Sequence, residues 1–164
     1  MSDWPGWAGV IVAVLSFAAS AYAIYDARKA REAVDRAEKL SIIDTLLNQH
    51  EIRRSHWDIW GYAEVDLKGM RTAISEWRDI CSQQMNLLPR DSAKWFTVRD
   101  LAQEANSFSR ATDDIAQRWK QSDGSINIGS PEDNEKVKHA VEQFQQRTRE
   151  LIGKLTSLRN SPDT

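Results

Sequence analysis

An uncharged stretch near the N-terminus sets the first limit on the fold. Residues 4–25, WPGWAGVIVAVLSFAASAYAIY, are 22 residues long and carry no formal charge. As an α-helix at about 1.5 Å per residue, such a stretch spans roughly 33 Å, which exceeds the ~30 Å thickness of the hydrocarbon core of a bilayer. We therefore predict a transmembrane helix over residues 4–25, preceded by a short external tail, residues 1–3.

The charges around this stretch predict its orientation. The residues before it contain no Lys or Arg, whereas three basic residues follow it between positions 28 and 31. Because positive residues that flank a membrane helix stay in the cytoplasm, we expect the N-terminus outside the inner (cell) membrane and the large C-terminal part in the cytoplasm. Trp and Tyr favour the headgroup level at both ends of the helix. The predicted membrane-interface residues are Trp4, Trp7, Tyr22, Tyr25, Arg28, Lys29 and Arg31.

A cleaved secretory signal is the alternative reading of the same stretch. Ala19, Ala21 and Ala23 supply small residues at the spacing that signal peptidase recognises. A signal peptide normally has positive residues before its apolar part. Residues 1–3 contain none, so we favour a retained anchor. The alternative would place a helical domain in the periplasm.

Small residues recur along the stretch at alternating spacings of four and three. Such a face lets a second helix approach closely in lipid, where close backbone contact and hydroxyl hydrogen bonds drive helix pairing. An alanine-rich helix also produces a stripe of this kind by chance, and both readings stay open. The predicted helix-association seam consists of Gly9, Ala13, Ser16, Ser20, Ala23, Ala27 and Ala30.

Composition excludes several classes of protein. Lys and Arg number 22 against 24 Asp and Glu, which leaves a net charge of −2 and no electrostatic footprint for nucleic acid. A mean hydropathy of −0.58 excludes a polytopic membrane protein. The single cysteine, Cys81, excludes an intrachain disulfide framework and fits a reducing compartment.

The rest of the chain has the apolar periodicity of long helices. Residues 26–52 contain neither Gly nor Pro and carry acidic residues four positions before basic ones, which predicts a juxtamembrane helix. At residues 53–55 the apolar spacing changes, and we favour a break there over one continuous helix. Beyond that point three segments repeat apolar residues at alternating spacings of three and four. The first covers residues 55–84, the second follows a cap at Asp91 or Ser92, and the third begins at residue 131.

These segments predict an all-α fold. Helices with this repeat and short connections pack as antiparallel neighbours, so we expect the transmembrane helix to continue into an up-and-down bundle of three to four helices. The bundle covers residues 55–159, and a polar tail, residues 160–164, follows it. The predicted bundle core is Trp60, Leu67, Met70, Ile74, Trp77, Val98, Leu101, Phe108, Ile115, Trp119, Val141, Phe144, Leu151 and Leu155.

Candidate catalytic and metal-binding residues are few. His50 and His56 are six residues apart, about 240° around a helix, whereas a helical zinc pair needs a spacing of four. Cys81 lies on an apolar face, where cysteine is usually a small buried side chain. The tryptophans could line a ligand pocket, but their helical spacing favours packing in the core. We therefore expect no catalytic residue, no metal and no cofactor.

The expected function follows from the anchor and the bundle. We expect a single-pass membrane protein whose cytoplasmic bundle binds a protein partner, or a second copy of itself, at the membrane. The alternatives are a signal-coupling protein, in which a rearrangement of the anchor helix is transmitted to the bundle, and the periplasmic domain described above. The expected partners are the lipid bilayer and a protein, with neither nucleic acid nor a small-molecule substrate.

Overall fold

The computed structural model describes the backbone of residues 4–58 and 67–159 and the side chains of residues 14–58 and 67–159. The chain divides into two compact units, Met1–Leu40 and Ser41–Thr164, which we call unit 1 and unit 2. Helix α1 contributes to both units. The helices are α1, Trp4–Asp58; α2, Leu67–Met85; α3, Ala93–Arg118; and α4, Pro131–Arg159.

The described residues confirm the all-helical prediction. Their β-pairing is limited to one isolated bridge between Lys120 and Ile126. Residues 125–129, whose sequence alternates as in a strand, belong to the loop between α3 and α4. The predicted tails, residues 1–3 and 160–164, lie outside the described residues.

Helix α1 continues through residues 53–55, where the sequence favours a break. The Arg53 side chain donates a hydrogen bond to Gln49, and Arg54 forms a charged hydrogen bond with Asp58. Each contact joins residues one helical turn apart, which supports a continuous helix. The predicted break is therefore wrong.

Trp57 explains why the sequence misleads here. The apolar spacing changes at residues 53–55, but the Trp57 side chain is 1% exposed and lies on the same buried face of α1 as Leu46 and His50. Trp57 thus belongs to the end of α1. The second bundle helix begins at Leu67 instead of residue 55.

The starts of α3 and α4 follow the capping rules. The hydroxyl of Ser92 accepts a hydrogen bond from the main-chain N–H three residues further on, so Ser92 rather than Asp91 caps α3. Ser130 accepts a bond from the N–H of Asp133, at 3.5 Å from Oγ to N, and Pro131 is the first residue of α4. Both helix starts agree with the sequence prediction.

Helices α2, α3 and α4 pack as antiparallel neighbours. Near the start of α2, Arg71 Nη2 lies 2.9 Å from Asp113 Oδ1 near the end of α3. At the end of α3, Arg118 Nη1 lies 2.9 Å from Asp133 Oδ2 at the start of α4. Since the start of each helix meets the end of its neighbour, the predicted up-and-down order is present.

The end of α1 forms the fourth helix of this bundle and packs on α4. The rings of Trp57 and Phe144 meet edge to face, with their centroids 5.5 Å apart. Earlier on α1, Asp44 Oδ1 lies 3.0 Å from Arg159 Nε at the end of α4. The two helices therefore run antiparallel.

Most of the predicted core residues are buried in unit 2. Trp119 and Leu151 are half-buried and pack against the core, and Trp60 lies outside the described residues. The buried ones are Leu67, Met70, Ile74, Trp77, Val98, Leu101, Phe108, Ile115, Val141, Phe144 and Leu155. The end of α1 adds Ile42, Ile43, Leu46 and Trp57 to the same core.

Candidate functional site

The first candidate site is a group of exposed apolar side chains on α1 in unit 1. Every large apolar side chain between residues 14 and 25 is exposed, and Phe17, at 77%, is the most exposed. Single exposed apolar residues are ordinary, but a contiguous group marks a surface that contacts lipid or protein. We call this group the apolar belt; it consists of Val14, Leu15, Phe17, Tyr22, Ile24 and Tyr25.

Charged side chains follow the apolar belt along α1. Arg28, Lys29 and Arg31 are all exposed. Further along, Lys39 Nζ lies 2.9 Å from Asp35 Oδ2, one turn earlier. The basic residues of the predicted membrane interface thus lie on the surface directly after the apolar belt.

The described part of the helix-association seam is also exposed. Ser16, Ser20, Ala23, Ala27 and Ala30 are accessible, as is needed for contact with a second helix. The Ser20 hydroxyl donates to the Ser16 carbonyl, with 2.8 Å between the oxygens, so its proton is already engaged within α1. The predicted pairing through this seam would therefore depend mainly on close backbone approach. The side chains of Gly9 and Ala13, and those of Trp4 and Trp7, lie outside the described residues.

Within the described part of the chain, none of the helices combines the length and the apolar character that a bilayer span requires. The span predicted over residues 4–25 begins in the segment whose side chains are not described. It therefore stays a prediction.

A second candidate site lies inside unit 2, where the end of α1 meets its neighbours. The His50 side chain is 6% exposed. Its ring centroid lies 5.6 Å from that of Trp77 on α2 and 5.9 Å from that of Trp57 on α1. One turn along α1, Arg53 Nη2 lies 3.6 Å from Glu76 Oε2 of α2.

Thr148 of α4 lies at the same level of the bundle. Because α1 and α4 are antiparallel and Trp57 contacts Phe144, the residue one turn after Phe144 lies near the level of the residue one turn before Trp57. These residues are Thr148 and Arg53, and the Thr148 side chain is buried. We call the group of His50, Arg53, Trp77 and Thr148 the polar layer.

Hydrogen bonding in the polar layer is incomplete. Among the described residues, Arg53 Nε, Trp77 Nε1 and Thr148 Oγ1 are the buried side-chain atoms without a hydrogen-bond partner. An unpaired buried donor or acceptor costs about 1–3 kcal/mol. The end of α1 is therefore held by apolar and aromatic packing around polar atoms that are only partly paired.

Burial lowers the pKa of His50 from its ordinary value of 6.5. Removal of water from around the ring is the largest cause, because it disfavours the charged form. Glu51 and Asp58 act in the opposite direction, and Arg54 adds to the lowering. Burial thus favours the neutral form of His50 in the folded bundle.

The spacing of His50 and His56 raises only the question of metal binding, whereas the structure buries the His50 side chain within unit 2. The signal was present, since His50 follows Ile43 and Leu46 at spacings of three and four on the apolar face of α1. His56, whose spacing from His50 does not fit a helical zinc pair, is exposed. In the described ranges no group of three His, Cys, Asp or Glu side chains is placed to hold a metal ion.

Cys81 lies in the core of unit 2 with no exposed surface. Burial raises the pKa of its thiol, because the thiolate would lose its hydration. Since the thiolate is the reactive form of cysteine, this environment makes Cys81 a packing residue.

A third polar group joins the α3–α4 loop to α4. The buried carboxylate of Asp133 accepts hydrogen bonds from Trp119 Nε1, at 2.8 Å, and from Arg118 Nη1, at 2.9 Å. The Trp119 bond is the largest cause of a lowered pKa of Asp133. The donors and the acceptor of these hydrogen bonds all belong to unit 2, and the bonds fix the position of the loop.

Comparisons of the chain with protein families, with curated proteins and with solved structures find no match. Its function is therefore argued from its own residues.

Proposed function

We propose that this chain is a membrane-anchored helical-bundle protein, whose bundle binds a protein partner or a second copy and holds it at the membrane. The observation that carries the proposal is the apolar belt. Its exposed side chains belong to the uncharged stretch over residues 4–25. The role is one of binding, without a catalytic step.

The energetic argument is that lipid covers the apolar belt better than water does. Burial of apolar surface contributes about 25 cal/mol per Å². The stretch over residues 4–25 is long enough for a bilayer and contains no charge that would oppose insertion. The exposed basic residues Arg28, Lys29 and Arg31 support an orientation with unit 2 in the cytoplasm.

The helix-association seam supports self-assembly as the form of binding. Its small side chains are exposed over the described range, and in lipid such residues allow two helices to approach closely. The bundle surface remains available to another protein in the same arrangement.

Membrane fractionation tests the anchor with two substitutions. Leu15 lies near the middle of the stretch, where Leu→Arg raises the free energy of insertion by about 3–4 kcal/mol. Leu87, in the α2–α3 connection, is the matched control, since it is 61% exposed against 64% for Leu15. The wild-type protein and Leu87→Arg are expected in the carbonate-resistant membrane fraction, and Leu15→Arg in the soluble fraction.

The opposite results would contradict the proposal. If the wild-type protein is released by carbonate, the stretch does not span a bilayer. If Leu15→Arg and Leu87→Arg distribute alike, the apolar belt has no special role in anchoring.

Signal coupling is a second candidate, favoured by the continuity of α1. The helix runs from Trp4 to Asp58, so residues of the uncharged stretch and residues of the bundle core belong to one hydrogen-bonded element. Coupling requires two populated arrangements of α1 in the bundle. Distance measurements between spin labels at Ile52 and Gln146, both exposed, would give two distances for a coupling device and one for a static anchor.

A further inference from the structure

The polar layer sits where a change in α1 would alter the packing of unit 2. His50 and Arg53 come from α1, Trp77 from α2 and Thr148 from α4. The layer therefore joins three helices through side chains that are polar and mostly buried. In a buried polar network, a change in the protonation of one side chain changes the hydrogen bonds that its neighbours need, and unpaired groups are costly there.

We propose that the polar layer is a proton-sensitive latch: when His50 takes up a proton, the end of α1, residues 50–58, is released from α2 and α4. This inference concerns unit 2 and does not depend on the membrane anchor. It adds a regulated contact to the proposed binding module.

The hydrogen-bonding groups around His50 explain the sensitivity. The unpaired atoms Trp77 Nε1 and Arg53 Nε are both donors. A protonated imidazole donates from both of its nitrogens, so protonation adds another donor to a layer that already has too many. Protonation also removes the acceptor nitrogen of the neutral ring, which leaves the Thr148 hydroxyl oxygen as the acceptor among the buried unpaired atoms of the layer.

Charge acts partly in the opposite direction. Glu51 makes the largest charge contribution and raises the pKa of His50, and Asp58 also raises it. Arg54 lowers it, although its side chain is exposed and paired with Asp58. Burial of the ring exceeds each of these contributions.

The helices packed against His50 supply little compensating charge. From α2 the layer receives Trp77, while the exposed carboxylate of Glu76 is paired with Arg53. From α4 it receives Phe144 and Thr148, which carry no charge. Phe108 of α3 contacts Phe144, and in the turn before Phe108 the side chain of Ala105 is buried and that of Glu104 is half-buried.

The size of the effect follows from linked protonation. If His50 stays neutral in the closed latch and titrates at its ordinary pKa of about 6.5 when released, the opening equilibrium rises about tenfold between pH 7.5 and pH 5.5. The sign is fixed by the lowered pKa in the folded state. Stability of the latch is complete above the ordinary pKa and is lost as the pH falls below it.

Hydrogen exchange on the full-length protein in detergent micelles tests the latch. Protection factors of the main-chain amides in residues 50–58, corrected for intrinsic exchange, are measured at about pH 7.5 and pH 5.5. We expect an approximately tenfold loss of protection in the wild-type protein and no loss in His50→Gln. The two other histidines of the chain, His56 and His139, are exposed, so His56→Gln and His139→Gln serve as matched controls that keep the wild-type response.

Two results would overturn the proposal. One is unchanged protection of residues 50–58 in the wild-type protein at the lower pH, and the other is a wild-type response in His50→Gln. Titration of the His50 ring by nuclear magnetic resonance in the wild-type protein gives an answer even if the variant does not fold. A midpoint below 6.5 supports the latch, and a midpoint at or above 6.5 contradicts it.

Discussion

The Gln145 side chain of α4 donates a hydrogen bond to the main-chain carbonyl of Trp57 on α1. The Trp57 ring packs edge-on against Phe144 on the same side. Together the two contacts hold the end of α1 in the bundle.

Loss of the Gln145 amide should destabilise the bundle and loosen the end of α1. We expect Gln145→Ala to lower the free energy of unfolding by about 1 kcal/mol, because it removes one half-buried hydrogen bond. The adjacent Gln146 is exposed and bonds only within α4, to Glu150, so Gln146→Ala is the control. Urea denaturation followed by circular dichroism gives both values, and equal effects would contradict the role of Gln145.

Alanine substitutions at two glycines should change the stability of the protein in opposite directions. A Cβ atom at Gly129 would lie 2.9 Å from Cζ3 of the Trp119 ring, whereas at Gly153, in α4, it would meet nothing within 4 Å. Gly129→Ala should therefore destabilise the protein by about 1–3 kcal/mol through overpacking. Gly153→Ala should stabilise it by about 0.5–1 kcal/mol, since alanine favours a helix interior. Thermal unfolding of both variants checks this, and stabilisation by Gly129→Ala would show that the Trp119 contact is absent.

Asp133 should make the bundle sensitive to acid. Its pKa is lowered in the folded chain, chiefly by the hydrogen bond from Trp119, so the folded state binds the proton less tightly than the unfolded state. The carboxylate therefore stabilises the protein above its ordinary pKa of 3.8, and this contribution is lost as the pH falls through the lowered value.

The measurement is the unfolding midpoint as a function of pH between about 2.5 and 6. Asp133→Asn should lose stability near neutral pH and show a weaker decline in acid than the wild-type protein. Asp79→Asn, whose carboxylate is paired with its neighbour Arg78 on the surface, is the control and should keep the wild-type slope. A wild-type slope in Asp133→Asn would rule out the buried carboxylate as the acid-sensitive group.

Sequence alone predicts the helices of this fold and misses the tertiary contacts between them. The caps at Ser92 and Ser130 and the alternating apolar spacing of α3 and α4 are local signals, and the helices follow them. The break predicted at residues 53–55 fails because the core of another helix, at Phe144, selects the position of Trp57. No local pattern reveals that contact.

One of the candidate sites can be predicted from sequence and another cannot. The apolar belt and the basic residues after it are visible in the sequence, because charge and hydropathy are properties of single residues. The polar layer is not visible, since Trp77 and Thr148 reach the level of His50 only through the packing of α2 and α4 on α1. Only the position of His50 on an apolar face gives an early indication of it.

Self-association of the anchor should depend on which face of α1 is changed. Ala23→Ile places a branched side chain on the helix-association seam and should weaken pairing in a membrane two-hybrid assay, because it prevents close backbone approach. Ala18, exposed on α1 but off the seam, is the matched control, and Ala18→Ile should pair like the wild-type helix. Equal behaviour of the two variants would mean that the stripe of small residues arises from composition.

The central claim, an anchored chain with its bundle in the cytoplasm, is tested most directly by reporters fused after Thr164. Green fluorescent protein fluoresces only in the cytoplasm, and alkaline phosphatase is active only outside it. We predict fluorescence in the membrane fraction and no phosphatase activity in whole cells. An active phosphatase fusion, or fluorescence confined to the soluble fraction, would contradict the account.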